Sequence, residues 1–199
     1  LGLADWLSDV DRGGGHLMAR VIVNRLWHHH FGRGIVATPN DFGTRGEKPS
    51  HPDLLDWLAT ELVRGGWKLK PIHKLIMTSG VYMQSGRVTA SGHQHDPEVL
   101  LLWKRNVRRL EAEIIRDALL EVSGTLDRTM FGPGTLAPKS MRRSVYFTVK
   151  RSQLIQMLQL FDAPDTMQGI GARQQSTVAP QALALLNSPS VREFATTFA

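Results

Sequence analysis

Apolar residues at helical spacing recur from one end of this sequence to the other, and glycines close several of the runs. That repeat leaves little room for anything but helices. From Leu17 to Phe31, the residues Met18, Val21, Ile22, Leu26 and Trp27 recur on a 3.6-residue period, and Gly32 and Gly34 end the run. A second start follows at Ser50, a capping residue, with Pro52 in the first turn. Leu54, Leu55, Leu58, Leu62 and Val63 form its buried face, and Gly65-Gly66 stop it. Ile72, Leu75, Ile76, Ser79 and Met83 predict a third helix. The longest runs from about Glu98 to Val122, with a break near Asn106 and a stripe of Val107, Leu110, Ile114, Ala118 and Val122 for burial. Shorter helices are predicted over 152–161, over 180–187, and from Ser188 with Pro189 at its first position. Residues 86–97 read as a polar surface loop, and 162–176 as an irregular stretch. Alternation in RSVYFTVK predicts one strand, so the fold class is mainly α, a helical bundle with at most one small β-hairpin around residues 143–150. A chain of 199 residues organised this way reads as a single helical domain over 1–199.

Chemistry concentrates between Met18 and Pro52, which holds four of the eight histidines. Arg20, Asn24 and His28 repeat every four residues and predict a polar stripe, with Arg25 and His29 beside it and His30 at the edge of the core. Consecutive helical residues diverge by about 100°, so the His28-His29-His30 triplet does not converge on one ion, and no metal site is expected. The Gly-punctuated loop after it carries Asp41, Arg45 and Glu47, and His51 opens the next helix. Arg25, His29, Asp41, Arg45, Glu47, His51 and, far along the chain, Arg173 are costly to explain by packing. They form the candidate polar site, with a salt-bridged scaffold as the competing explanation. Asp41-Phe42-Gly43 matches the kinase magnesium motif in three letters without any of its companions, and Gly169-Ile170-Gly171 lacks the third glycine of a dinucleotide fingerprint.

Charge bounds the partners. Net charge is +6 and the isoelectric point is near 10.1, which suits an anionic partner. Lys104, Arg105, Arg108 and Arg109 form one basic cluster and Arg142 and Arg143 anchor another, so these six are the anion-binding candidates. The absence of cysteine excludes disulfides, thiolate zinc, iron–sulfur clusters and covalent c-type haem from this chain. No 18-residue apolar run predicts a membrane span. The opening LGLADWLSD lacks the build of a signal peptide and reads as the cut edge of a longer protein.

The block RVIVNRLWHHHFGRGIVATPNDFGTRGEKPSHPDLLDWLATELVRGGWKLKPIHKLIMTSGVYMQS resembles a Planctomycete-type domain of unknown function, family 1553, and LLWKRNVRRLEAEIIRDALLEVSG, RRSVYF and STVAPQALALLNSP resemble its later blocks. The resemblance covers nearly the whole chain. It implies export to the periplasm or cell surface within a large multidomain protein. Haem, if any, would sit in a neighbouring cytochrome-c-like module and not in this chain. It implies no established activity. The leading expectation is therefore a non-catalytic recognition or scaffold module, facing neighbouring domains or an anionic polysaccharide, acidic or sulfated. The alternative is an enzyme using His29 or His51 with Asp41 or Glu47 in acid–base chemistry, on a substrate held by Arg25 and Arg45. A third reading is nucleic-acid binding, which export argues against.

Overall fold

A computed structural model describes residues 1–164 and 169–199. It is mainly α, as the periodicity predicts, with ten α-helices and no sheet among the described residues. The chain divides into two compact units, Leu1–Arg108 and Arg109–Ala199.

The first unit holds α1 (Gly2–Ser8), α2 (Gly15–Phe31), α3 (Pro52–Arg64), α4 (Leu69–Met77), α5 (Gly80–Met83) and α6 (Ala90–His95). Its core is built from α2, α3 and α4. Ala19, Val23 and Trp27 meet Leu55, Leu58, Ala59 and Leu62, with Ile72 and Ile76 closing the layer and Ile35 and Val36 entering from the loop. Each fully buried Leu or Ile in such a layer stabilises the fold by roughly 1.5–3 kcal/mol. Gly32 ends α2 at φ +86°, the left-handed conformation that favours glycine. Ser50 does not cap α3. Its hydroxyl donates to the Ile35 carbonyl instead, and His51 takes the cap position without a side-chain bond.

Three expectations in this unit are corrected. The helix predicted through Met83 breaks at Thr78, and Ser79 caps the separate α5 by accepting from the Tyr82 amide. The supposed loop 86–97 contains α6, capped by Thr89 accepting from the Gly92 amide. The long helix from Glu98 does not form before Ala112. Asp96 draws the chain around itself: its carboxylate accepts from the amides of Leu100 and Leu101, its carbonyl accepts from the Trp103 indole, and Val99 and Leu102 sit at positive φ. Side-chain acceptors of this kind compete directly with the helical ladder.

The second unit holds α7 (Ala112–Val122), a 3-10 turn at Ser144–Tyr146, α8 (Gln156–Leu160), α9 (Ala179–Asn187) and α10 (Pro189–Phe198). The strand and hairpin expected around 143–150 are absent among the described residues. The 3-10 turn occupies their centre, and an isolated bridge joins Thr135 to Phe147. The irregular stretch 162–176 is non-helical where described, and its residues 165–168 lie outside the described residues. The larger correction concerns α7. It buries Ala112, Arg116 and Leu120, whereas Leu110, Ile114, Ala118 and Val122, the stripe expected inside, are exposed.

Candidate functional site: a loop clamped to the histidine helix

The segment from Ile35 to Ser50 is fixed at both ends. At its entrance Asn24, expected on a polar stripe, is fully buried. Its Nδ2 donates to the Val36 carbonyl at 3.0 Å, and its Oδ1 accepts from the Val36 amide at 2.9 Å, a two-point clamp that mimics a sheet pair. Gly34 lies against this carboxamide, where a Cβ would come within 2.8 Å of Oδ1. At its exit the Ser50 amide donates to the Ile35 carbonyl at 2.9 Å, so the loop closes on itself. Inside, Thr38 Oγ1 donates to the Asp41 carbonyl and accepts from the Glu47 amide. A cleft of about 310 Å³ opens between this loop, α2 and α3, with Phe42, Pro49 and Pro52 as apolar wall and Arg20, Glu47 and Asp56 as polar groups. Arg20 Nε donates to Asp56 Oδ1 at 2.6 Å and holds that carboxyl below the usual range.

The expected site residues fall around this cleft unevenly. Glu47 lines it, with its carboxylate 3.7 Å from Arg33. Asp41 and Arg45 stand exposed on the same loop, and Arg25 and His29 are exposed on α2. His51 is half-buried, with Nδ1 2.9 Å from the Ser50 hydroxyl. Arg173 belongs to the second unit, bound to Glu113 at 2.7 Å and Glu111 at 3.2 Å.

The expected anion-binding arginines are engaged within the fold. Arg105 donates to the His30 carbonyl at 2.9 Å while stacking 4.0 Å over the Tyr82 ring, and Arg108 donates to the His29 carbonyl. Both therefore satisfy carbonyls at the C-terminal end of α2, where helical carbonyls lack intrahelical donors and the dipole favours cations. In the second unit Arg109 donates to the carbonyls of Ser176 and Phe161 and pairs with Asp162. The Ser176 amide, its hydroxyl and Arg109 together hold Asp162 below the ordinary carboxylate range. Arg142 donates to the carbonyls of Thr129, Phe131 and Pro133, 3.7 Å over the Tyr146 ring. Arg143 is half-exposed, 3.7 Å from Asp117, and Lys104 lies 5.6 Å over Trp103.

Sequence reasoning passed over three features. His30 Nε2 and His73 Nδ1 are 2.8 Å apart, so one proton joins the two rings, with Tyr82 edge-on to His30. Arg116 is buried in α7, and only its spacing with Ala112 and Leu120 marked it in advance. A third is a stretch without carboxylates between Glu61 and Asp96 that carries Arg64, Lys68, Lys70, Lys74 and Arg87. All five of those cations are exposed.

Compared with protein families, the chain matches PSD1, Protein of unknown function (DUF1553), over residues 1–199. The chain belongs to this family. No curated protein and no solved structure matches it.

In this DUF1553 chain, no three of His, Asp and Glu among the described residues are grouped to hold a metal ion. The histidine pair is instead a proton-sensitive joint. Burial, then His73 and the nearby Arg105, Arg108 and His29, push the His30 pKa down. An unfolded histidine takes a proton near pH 6.5, whereas folded His30 resists it, so protons favour unfolding. Its contribution is complete above about pH 6.5 and is lost as pH falls through the lower folded value. A thermal melt series should therefore show stability falling from pH 7 to pH 5 in the parent and falling less in His30→Gln. Equal slopes in both would remove the joint from the account.

Proposed function

We propose that this DUF1553 chain is a non-catalytic recognition module of an exported multidomain protein, presenting a basic surface to an anionic polymer, an acidic or sulfated polysaccharide. Any haem of that parent protein belongs to a neighbouring module. The observation that carries this reading is α4 and its flanks. Lys70 and Lys74 lie one turn apart on the exposed side of α4, Arg64 and Lys68 precede them, and no carboxylate intervenes from Glu61 to Asp96. The exposed lysines are free to meet an external anion. Arg105, Arg108, Arg109 and Arg142 are occupied with backbone carbonyls.

The test is retention on a heparin-type matrix. The parent is retained at low salt and released as ionic strength shortens the Debye length. The double variant Lys70→Glu/Lys74→Glu loses affinity roughly tenfold, about 1.4 kcal/mol. Its melting behaviour stays unchanged, because exposed substitutions typically move stability by less than about 0.5 kcal/mol. No retention at low salt refutes the reading. Tighter binding to duplex DNA than to the sulfated matrix replaces the polysaccharide with nucleic acid.

A further inference from the structure

The cleft between the clamped loop, α2 and α3 has walls that are fixed by the fold itself. Asn24 pins Val36, Thr38 bridges the Asp41 carbonyl and the Glu47 amide, and Gly46 packs on that same carbonyl with no room for a Cβ. A pre-formed cleft binds without the cost of ordering a loop. Its volume of about 310 Å³ is at the lower end of the range of small-ligand pockets, about 300–1,000 Å³, so it has room for a single small ligand.

We propose that this cleft binds a neutral polyhydroxylated ring, a pyranose unit of a glycan. Each lining group answers one property of such a ring. Phe42, Pro49 and Pro52 supply apolar surface for its C–H face. Arg20 and Asp56 stand side by side as donor and acceptor, joined from Nε to Oδ1 at 2.6 Å. Among the described residues the remaining nitrogens of Arg20 reach only the His16 carbonyl, at 3.4 Å, and Asp56 Oδ2 has no hydrogen-bond partner. Two adjacent ring hydroxyls, each able to donate and to accept, complete both groups at once. Glu47, 3.7 Å from Arg33, adds a second acceptor. Charge selects against an acidic ring, because two carboxylates line the cleft and its one guanidinium is already paired with one of them. A purely apolar ring would strip water from three charged groups and return no hydrogen bond. A simple ammonium ion answers Glu47 but leaves the donors of Arg20 unmatched. The cleft shares no residue with the basic stretch from Arg64 to Lys74 and does not rest on the reading of α4.

The 199-residue chain is probed with the methyl glycosides of glucose, mannose and galactose, by saturation-transfer NMR and titration. We expect at least one of them to bind with a dissociation constant of about 1–10 mM. Glucuronate, cyclohexanol and methylammonium each bind about tenfold more weakly or worse, since a site built for hydroxyl groups rejects analogues that lack them or add charge. Phe42→Leu and Glu47→Gln each weaken the glycoside about fivefold or more, while the far-ultraviolet spectrum is kept. Lys70→Glu/Lys74→Glu leaves glycoside binding unchanged, so a failure of heparin retention does not touch this site. Absence of saturation transfer from all three glycosides at about 20 mM overturns the proposal. So does tighter binding of glucuronate, cyclohexanol or methylammonium, or glycoside binding indifferent to both variants. If Phe42→Leu fails to fold, Glu47→Gln, at an exposed position, decides.

Discussion

Replacing Asn24 with alanine should lower the thermal midpoint of the first unit by about 10 °C or more. The carboxamide is fully buried and makes two hydrogen bonds to Val36, itself 2% exposed. Truncation leaves a buried amide and a buried carbonyl unpaired, at about 1–3 kcal/mol each. A loss near 3 kcal/mol shifts the midpoint of a domain this size by the amount stated, at roughly 4–8 °C per kcal/mol. The loop from Ile35 to Ser50 would also lose its register, so amide exchange at Val36 and along the loop should accelerate more than in α3. A variant melting within a degree or two of the parent would show that the clamp is dispensable.

Arg116→Met should cost the second unit about 3–5 kcal/mol, the usual consequence of removing one partner from a buried charged network. The guanidinium donates to the carbonyls of Arg142 and Ser140 and to the Ser144 hydroxyl, and it lies 4.6 Å from the Phe147 ring centre. Asp117 lies 3.6 Å away and accepts from both the amide and the hydroxyl of Ser144. Methionine fills the stem volume but leaves two carbonyls and the Ser144 hydroxyl without their donor, and removes the charge facing Asp117. Arg116→Lys should recover only part of the loss, since a single ammonium does not reproduce the planar fork. Calorimetry that finds either variant as stable as the parent would mean the loop 126–147 is held by something else.

The helices that could be read from the sequence were those with strong periodicity and clear ends. For α2 and α3, apolar spacing and glycine stops placed the boundaries to within a few residues of the observed Gly15–Phe31 and Pro52–Arg64. The apolar content of the segment after Asp96 mimics a helix, whereas the decision there belongs to one carboxylate capturing two amides. Hydrophobicity alone turns the aliphatic stripe of α7 inward, but the buried side of that helix is the one that carries Arg116. An arginine that satisfies three oxygens displaced the aliphatic stripe from the interior. The cleft around Glu47 was half legible. The loop's composition marked it as unusual, but the clamp that shapes it depends on an asparagine whose spacing with Arg20 and His28 suggested the solvent side. Nothing in the sequence separates Arg173 from the residues of the first unit, because sequence carries no distance.

The loops of the second unit are fastened mainly by guanidinium groups gripping peptide oxygens, and neither party changes its ionisation across ordinary acidity. Asp162 is different, because its grip on Ser176 and Arg109 depends on staying ionised. Below about pH 4, where unfolded aspartates take up protons, that knot weakens as pH falls through its depressed value, while the ties made by Arg116 and Arg142 persist. Acid therefore loosens the junction of Phe161 with Ser176, while the guanidinium ties to the carbonyls of Thr129, Ser140 and Arg142 keep their donors.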